Sequence, residues 1–340
     1  MHFAALIDGV PSLTVCDHGS FRLSRHSGGR VTVLMPMCNS GAFVASAIRS
    51  ILWQSERDFT FLIIDDGSED RSLEIAGRLA DRRTEIVRDG HHLGLVERLN
   101  WGLDHARTKF VARMDADDIS APHRLARQLA FMEANPQVGI CGSWYVQMAS
   151  DAPPLGIRLP LEHERLRAMT LFSSPFAHPT VMFNMSHLDA ASLRYSGSVT
   201  HAEDYDLWER ARSKTVFANI PEFLLCYRRH PGQVSAVQSE RQRKAADGVR
   251  RRALLHLGID PAPSEMALHC DYAADQNMDR LSRLSDARVW LHKLEMTARQ
   301  RGELAIATEC ALRARQLKRR IRKNPKSLFR KVMDTIGQFR

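Results

Sequence analysis

The sequence predicts an α/β fold with a mostly parallel sheet flanked by helices, followed by a helical C-terminal extension. Short apolar runs rich in β-branched residues, typical of buried parallel strands, alternate with helical patterns over residues 31–134. Strands that alternate with helices favour parallel pairing through crossover connections. From residue 234 onward the pattern is helical, with a break near residues 258–263. A chain of 340 residues has room for one large domain with an appendage, or for two domains.

Each predicted element is bounded by residues typical of strand ends or helix starts. Residues 1–29 have weak periodicity and are interpreted as a leader or linker. Pro36 is expected to end the first strand, and Asn39 or Ser40 to cap the next helix. Ser68 is expected to begin the second helix. The predicted strands are 31–35, 59–64, 84–88, 110–114, 138–148, 180–183 and 222–229, and the main predicted helices are 43–52, 68–79, 95–103, 122–134, 161–172 and 203–212.

Three aspartates, Asp115, Asp117 and Asp118, directly follow the predicted strand at 110–114. Ser120 and Pro122 then predict a helix start, so the acids lie at the strand end, where open α/β sheets bind ligands. Neighbouring carboxylates repel one another unless a cation binds them, and Mg²⁺ prefers carboxylate and phosphate oxygens. This stretch therefore predicts a metal–phosphate site. An acidic turn that merely caps the next helix is the alternative interpretation.

Two further acidic pairs are candidates for a functional site. Asp65 and Asp66 end a second strand, where a carboxylate suits recognition of a base or a ribose; an Asx-turn that begins a helix is the alternative. Glu203 and Asp204 open a helix, where the macrodipole favours acids and keeps them charged. This second pair is interpreted either as capping acids or as a general base acting on a hydroxyl nucleophile.

Histidines and arginines give the remaining signals. The run from Tyr227 to His230 follows a predicted strand and contains two arginines, so it is interpreted as a diphosphate or metal contact, or as a solvated basic loop. His178, which lies before a strand, is interpreted as structural. The adjacent His91 and His92 form too weak a pattern to assign a role.

The composition is that of a globular protein without a membrane span. Hydrophobic residues make up 44% of the chain and charged residues 26%. No apolar run approaches the roughly 20 residues that a transmembrane helix needs. The N-terminus lacks a secretory signal pattern, and six scattered cysteines without a C-x-x-C pair favour reduced thiols in a cytoplasmic protein over a disulfide framework or a zinc site.

The positive charge is confined to the C-terminal end. Residues 311–340 contain eleven Lys and Arg and one acid, whereas the other 310 residues contain 37 basic and 38 acidic side chains. Apolar residues are interleaved with these cations, so the tail is expected to contact an anionic membrane peripherally, at its inner face. A basic helix packed on the body is the alternative. The neutral body and the few aromatic residues in the tail argue against nucleic acid as a partner.

Six stretches in the same order resemble family 2 glycosyltransferases, which are inverting enzymes of the GT-A fold. They cover about residues 30–236, including the DxD motif at 115–117: VTVLMPMCNSGAFVASAIRSILWQS, FTFLIIDDGSEDRS, GLVERLNWGLDHARTKFVARMDADD, FAHPTVMF, HAEDYDLWERA and LLCYRRHPGQVS. The resemblance implies a GT-A domain over 30–236, with a nucleotide-sugar half at 30–120 and an acceptor half at 121–236. Residues 237–340 form the predicted helical extension.

The resemblance also implies roles on the donor side. Pro36 and Asp66 would lie at the nucleotide base, with Asn39 among the residues that bind the nucleotide sugar. Asp115 would lie by the ribose and diphosphate, and Asp117 would bind a divalent metal, Mg²⁺ or Mn²⁺. The donor is expected to be a nucleoside-diphosphate sugar, most simply a UDP-sugar.

On the acceptor side, the resemblance implies that Asp204 is the general base and that Glu203 helps to position the acceptor. His230 would add a contact to the metal or the diphosphate. The expected acceptor is a glycan or a lipid-linked molecule, and the expected process is cell-surface polysaccharide synthesis. The chain departs from many relatives at Cys38, because they carry Tyr or Phe there, which can stack on the base; this leaves the nucleotide undecided.

Three rival functions are weaker. A nucleotidyltransferase that makes activated sugars also uses acidic metal ligands, but the first strand is not followed by a Gly-rich basic loop that could bind a triphosphate. A nucleic-acid-binding or membrane-binding protein would rely on the basic tail alone. A catalytically silent relative is disfavoured by the intact Asp115, Asp117 and Asp204.

Overall fold

The computed structural model describes residues 14–16, 20–22, 29–233, 239–275 and 281–323. The chain forms two compact units that alternate along the sequence. The first comprises Met1–Leu159, Phe176–Ser198 and Thr215–Val237, and the second comprises Pro160–Pro175, Val199–Lys214 and Gln238–Arg340. The domain boundary at residue 236 and the division of residues 30–236 into two halves stay predictions.

The helices and strands alternate as expected from the sequence pattern. In chain order they are β1 (Thr14–Cys16), β2 (Ser20–Arg22), β3 (Val31–Met37), α1 (Val44–Leu52), β4 (Phe59–Asp65), α2 (Ser72–Leu79), β5 (Thr84–Arg88), α3 (Leu95–His105), β6 (Phe110–Arg113), β7 (Ile119–Ser120), α4 (Arg124–Ala134), β8 (Val138–Ala149), β9 (Ala152–Ile157), α5 (His163–Met169), β10 (Met182–Asn184), α6 (Met185–Ala190), α7 (Glu203–Ala211), β11 (Val216–Arg229), α8 (Ser239–His256), α9 (Pro263–Ala273), α10 (Leu281–Gln300) and α11 (Leu304–Lys323).

A mixed sheet of nine strands organises the described part of the first unit. Its order is β5-β4-β3-β6-β10-β8-β11-β7, with β9 paired to β8. Strands β5, β4, β3 and β6 run parallel to one another, and β8 runs parallel to β11, whereas β10 pairs antiparallel with both β6 and β8. The carboxyl ends of β3, β4 and β6 therefore meet at one edge of the sheet, and the loops that follow them carry Asn39, Asp66 and Asp115.

The core of the first unit is built from strands that are apolar on both faces. Every residue of β3 is buried, and so are six of the seven residues of β4, as expected for strands covered by helices on both sides. Helix α1 packs against them because its apolar residues recur at helical spacing and form one buried face. That face consists of Val44, Ala47, Ile48 and Ile51, all with no exposed surface.

The prediction that Pro36 ends the first strand is wrong, because β3 continues to Met37. Alternate residues of a parallel strand bond to opposite neighbours. Leu34 bonds toward β6, since its carbonyl accepts from Met114 N–H at 3.0 Å, and Pro36 faces the same side. Pairing with β6 ends at Leu34 and Arg113, so the missing N–H of Pro36 loses no ladder bond.

The predicted helix caps after β3 and β4 are also wrong. Helices α1 and α2 begin at Val44 and Ser72, without a side-chain cap. Asn39, in the left-handed region at φ 48°, instead bonds to the loop after β4. Its side-chain oxygen accepts from Glu69 N–H at 2.9 Å, and its own N–H donates to the Ser68 hydroxyl at 3.0 Å. These polar side chains therefore tie two strand ends together.

Ser120 does not begin the helix after the three aspartates. It lies in β7, where it pairs with Leu225 of β11, and α4 begins at Arg124. The first turn of α4 is instead capped from a distant segment by Gln54, which is fully buried. The Gln54 side-chain oxygen accepts from Leu125 N–H at 3.0 Å, so a partner remote in sequence does what a local Ser was expected to do.

The second unit is helical in its described part. Helices α5 and α8–α11 surround a separate apolar core, and α7 belongs to the same unit. Phe172, Leu254, Trp290 and Leu291 are buried in that core. Leu317 of α11 is buried with them, so the first part of the basic segment 311–340 packs as a helix within its own unit. Residues 324–340 lie outside the described residues. None of the helices in the described ranges is long and apolar enough to cross a membrane.

Candidate functional site

The three aspartates that follow β6 come together in a group that we call the acid loop (Asp115, Asp117 and Asp118). One carboxylate oxygen from each lies within 4.8 Å of the others. The side chains of Asp115 and Asp117 are 28% and 23% exposed, whereas Asp118 is fully buried. Solvent therefore reaches two of the three carboxylates, and the third lies beneath the surface.

Asp118 is the least compensated member of the acid loop. Its Oδ1 accepts from the N–H of Arg228 at 2.8 Å, but its buried Oδ2 has no hydrogen-bond partner within the described residues. Burial, followed by the charges of Asp115 and Asp117, raises the pKa of Asp118 well above its ordinary value. A buried carboxylate oxygen without a donor, next to two more carboxylates, fits a hard divalent cation such as Mg²⁺ or Mn²⁺.

Two buried arginines support the acid loop, and the sequence pattern did not predict either. Arg113, the last residue of β6, forms an ion pair with Asp115. Arg124, at the start of α4, donates to the backbone carbonyl of Arg113 at 2.7 Å. Both are almost fully buried. The signal in the sequence was an arginine at the end of an otherwise apolar strand, since Arg is rarely buried without a partner.

The end of β11 holds the acid loop from the other side. Arg228 donates from Nε to the backbone carbonyl of Asp117 at 2.8 Å, and His230 Nε2 lies 3.1 Å from Asp117 Oδ2. Arg229, between them, is exposed. The run from Tyr227 to His230 therefore does not act as one basic loop, because alternate side chains of a strand point to opposite faces. Arg228 and His230 face the aspartates and Arg229 faces solvent.

Phe43, which immediately precedes α1, completes this arrangement and was not predicted as a site residue. The Phe43 ring centroid lies 4.4 Å from the His230 ring and 4.9 Å from the Arg228 guanidinium carbon. Such aromatic and cation–π contacts restrict the orientation of both partners. Phe43 therefore holds the two groups that contact Asp117, although its spacing in the sequence indicated only a core position of the helix.

Asp66, expected at the nucleotide base, is already bonded to the loop before α3. Its Oδ1 accepts from Leu93 N–H at 2.8 Å and from Arg98 Nε at 2.7 Å, and its Oδ2 accepts from Gly94 N–H at 3.0 Å. Asp65 is fully buried, with Arg88 Nε 3.4 Å from its Oδ2. The structure places Pro36, Asn39 and Asp66 at one sheet edge, while their contact with a nucleotide stays a prediction.

Glu203 and Asp204 are the first two residues of α7, in the second unit. Glu203 is buried and Asp204 is half-buried, and Asp204 Oδ1 accepts from the N–H of Tyr205 at 2.7 Å. The residue before the helix is Ala202, so no side chain caps it. The helix N-terminus favours both negative charges. The structure thus places both acids where the pattern predicted them, and their catalytic roles stay predictions.

Comparisons with known proteins support the family and the fold. The family model described as glycosyl transferase family 2 matches residues 32–189. The O-antigen biosynthesis glycosyltransferase WbnJ of Escherichia coli is 30% identical over 212 residues, which span 59% of this chain and 80% of that protein.

Solved structures share the fold at low sequence identity. S. aureus TarS 1–349 in complex with UDP-GlcNAc has a TM-score of 0.59 and 14% identity, with 86% of this chain and 90% of that chain covered. The mannosyltransferase PcManGT from Pyrobaculum calidifontis, in complex with GDP-Man and Mn²⁺, has a TM-score of 0.55 and 17% identity, with 86% and 87% covered. The predicted GT-A type α/β fold is confirmed. The chain belongs to glycosyl transferase family 2 and is a glycosyltransferase.

Proposed function

We propose that the protein is an inverting, metal-assisted enzyme that transfers a sugar from a nucleoside-diphosphate sugar to a hydroxyl of a glycan or lipid-linked acceptor. The observation that carries the proposal is the acid loop at the end of β6, where a buried oxygen of Asp118 has no hydrogen-bond partner in the described part of the chain. The neighbours of known structure hold UDP-GlcNAc and GDP-Man, which supports a nucleotide-sugar donor. The name of the E. coli relative supports a role in cell-surface polysaccharide synthesis.

The acid loop would hold the divalent metal through Asp117, with His230 beside it and Asp118 beneath. The bound ion would neutralise negative charge on the departing diphosphate. Arg113 orients the Asp115 carboxylate, since the two form an ion pair. The Mn²⁺ bound to the archaeal neighbour supports a divalent ion of this class.

The donor nucleotide would lie along the ends of β3 and β4, by Pro36, Asn39 and Asp66, with Asp115 near the ribose. The carboxylate of Asp66 already accepts from Leu93, Gly94 and Arg98. Asp66 would therefore have two roles: it would fix the loop that borders the base, and it would contact the base. A UDP-sugar is the proposed donor.

Asp204 would accept the proton of the acceptor hydroxyl while that oxygen attacks the anomeric carbon from the face opposite the diphosphate. One such in-line displacement inverts the anomeric centre. The N-terminus of α7 stabilises the charged carboxylate that a general base requires. Glu203, next to it and buried, would help to position the acceptor.

The basic C-terminal segment 311–340 would bring the enzyme to an anionic membrane, where lipid-linked acceptors are found, on the cytoplasmic side. Because Leu317 is buried in its own unit, the apolar residues available for this contact lie mainly after residue 323. Sedimentation with vesicles of anionic lipid at low salt should carry down the full chain but not a chain that ends at residue 323. Equal sedimentation of the two chains would remove the membrane from this proposal.

The first test of the donor site is thermal unfolding with UDP, GDP, dTDP or CDP, each with and without Mn²⁺. A ligand at a hundredfold excess over its Kd stabilises the folded state by about 2.7 kcal/mol. We expect a metal-dependent stabilisation by UDP that is lost in Asp117→Ala and retained in Asp104→Ala, which changes an exposed ion-paired aspartate. An identical shift in both variants would contradict the placement of the metal.

A further inference from the structure

A second group of metal-ligand side chains lies at the same sheet edge, outside the acid loop. Cys38 follows β3, Asp66 follows β4 and His92 precedes α3. One ligand atom from each lies within 4.8 Å of the others. We propose that these three residues form a binding site for a thiophilic divalent cation, with Zn²⁺ as the ion whose preferences they match.

Two of the three ligand separations are close to those of a tetrahedral zinc shell. Cys38 Sγ lies 3.8 Å from His92 Nδ1, and His92 Nδ1 lies 3.1 Å from Asp66 Oδ2. Zinc bonds of about 2.3 Å to sulfur and about 2.0 Å to nitrogen or oxygen, at tetrahedral angles, put sulfur about 3.5 Å from nitrogen and nitrogen about 3.3 Å from oxygen. One thiolate, one imidazole and one carboxylate also match the ligand types that zinc prefers.

The hydrogen bonds of Asp66 leave room for a cation. Its Oδ1 accepts from Leu93 N–H and Arg98 Nε, while its Oδ2 accepts from Gly94 N–H and lies next to His92 Nδ1. An ion at the centre of the three ligands would replace the thiol proton of Cys38 and the Nδ1 proton of His92, together with the hydrogen bond from Nδ1 to the Asp66 carbonyl at 2.9 Å. The bonds to Leu93, Gly94 and Arg98 would persist and would orient the carboxylate, as outer-shell partners do at metal sites.

The backbone around the site brings the ligands together. Gly67 has φ +73°, and a Cβ there would lie 3.3 Å from the carbonyl of His91 and 3.5 Å from Cβ of His92. Glycine therefore permits both the turn after β4 and its close approach to the histidine loop. The His92 side chain is 70% exposed, so an ion can enter from solvent.

Zinc binding at this site would release protons. Burial, followed by the charges of Asp66, Asp65, Asp70 and Glu69, raises the pKa of the Cys38 thiol. A metal ion that replaces the thiol proton also neutralises some of the negative charge around Cys38. If, as the proposed function states, Asp66 lies at the donor base, zinc bound to Asp66 would oppose donor binding.

Titration of the reduced full-length protein with Co²⁺ tests the site directly, because thiolate ligation gives a charge-transfer absorption in the near ultraviolet. We expect one equivalent of Co²⁺ to produce the band and Zn²⁺ to displace it. Cys38→Ser and His92→Gln should weaken Co²⁺ binding by about 100-fold or more, since outer-shell partners alone are worth about 10–100-fold. Cys226→Ser, which removes another half-buried thiol, and Asp117→Ala should retain the band.

A band that survives in Cys38→Ser, or the absence of a band in the wild type, would overturn the proposal. Thermal unfolding of each variant without metal shows whether it is folded, so loss of the band can be assigned to a lost ligand. UDP affinity is then measured with and without Zn²⁺ in wild type and Cys38→Ser. We expect Zn²⁺ to weaken UDP binding at least tenfold in the wild type alone. Failure of the proposed function would appear as no UDP binding in either protein, with the cobalt band unchanged.

Discussion

The acid loop and helix α7 both concentrate carboxylates in a short stretch, but the protein compensates them differently. In α7, Arg252 bonds to both Asp206 and Glu209, and His256 Nδ1 lies 2.8 Å from Glu209. In the acid loop, Asp118 has a buried oxygen with no partner within the described residues. Carboxylates paired with cations of their own chain hold helices together. The partly unpaired carboxylates of the acid loop are the ones that we propose to bind an external cation.

Among the variants proposed here, Asp117→Ala should impair the enzyme most. This change removes the carboxylate proposed to bind the metal, and charge neutralisation by a metal is worth several kcal/mol in the transition state. We expect kcat/KM for sugar transfer to fall by about 10³-fold, with a weaker apparent affinity for Mn²⁺. Steady-state kinetics at varied Mn²⁺ concentration measure both, with Asp104→Ala as the control. Near-normal turnover in Asp117→Ala would refute the metal assignment.

The second unit also contains a fully buried histidine whose ring nitrogens are both bonded. His269 donates from Nε2 to the carbonyl of Leu171 at 2.9 Å, and its Nδ1 accepts from Trp290 Nε1 at 3.0 Å. Burial lowers the pKa of His269 to about 4, against 6.5 in the unfolded chain. The unfolded state therefore binds a proton that the folded state excludes. The contribution of His269 to the free energy of unfolding is therefore complete above pH 6.5, and about 3 kcal/mol of it is lost as the pH approaches 4.

Denaturant unfolding of wild type and His269→Gln, at several pH values between 7 and 4, measures this effect. Other groups titrate in the same range, so the informative quantity is the difference between the two proteins. The gap in unfolding free energy should narrow as the pH falls, because only the wild type loses the contribution of His269. A gap that does not change with pH would show that folding does not shift the pKa of His269.

Arg252→Met removes a cation that pairs with Asp206 and Glu209 of α7. The change leaves Glu209 fully buried, with Arg212 and His256 as its remaining partners. Removing one partner of a buried pair costs about 3–5 kcal/mol. Because Arg252 is one-third exposed and other partners remain, we expect a loss of about 2 kcal/mol in the free energy of unfolding.

The matched control is the adjacent Arg251→Met. Arg251 forms an exposed ion pair with Asp260, and such pairs contribute about 0–1 kcal/mol. Denaturant unfolding at neutral pH should therefore separate the two variants clearly. Equal losses would mean that the α7 carboxylates gain no more from Arg252 than a surface pair gains, and the contrast with the acid loop would fail.

The sequence predicted the strands better than the helix starts. Strand β5 was predicted at the observed residues, and β4 to within one residue. The apolar run of β4 is typical of a buried parallel strand. The start of α4 was misplaced because its capping group, Gln54, is about seventy positions away in sequence. Local pattern can identify a Ser or Asp as a suitable cap, but it contains no information on partners supplied by tertiary structure.

The same limit applies to the candidate site. The aspartates of the acid loop could be predicted because all three occupy one strand end. Arg124 and Phe43 could not, because their roles depend on contacts with Arg113 and His230, which only the folded sheet brings near. A phenylalanine with helical spacing is indistinguishable in sequence from an ordinary core residue. The sequence identified the carboxylates that we propose to bind the metal, but it did not identify the side chains that orient them.

Phe43→Leu tests this support and should have the smallest effect. The leucine keeps the apolar volume but loses the ring that lies 4.4 Å from His230, so His230 is held less well against Asp117. We expect the Mn²⁺ concentration for half-maximal activity to rise by about tenfold, equivalent to about 1.4 kcal/mol, with kcat little changed at saturating Mn²⁺. Phe43→Tyr retains the ring and should restore the wild-type value. If leucine and tyrosine variants behave alike, or if kcat falls while the Mn²⁺ dependence is unchanged, Phe43 supports helix α1 and not the metal site.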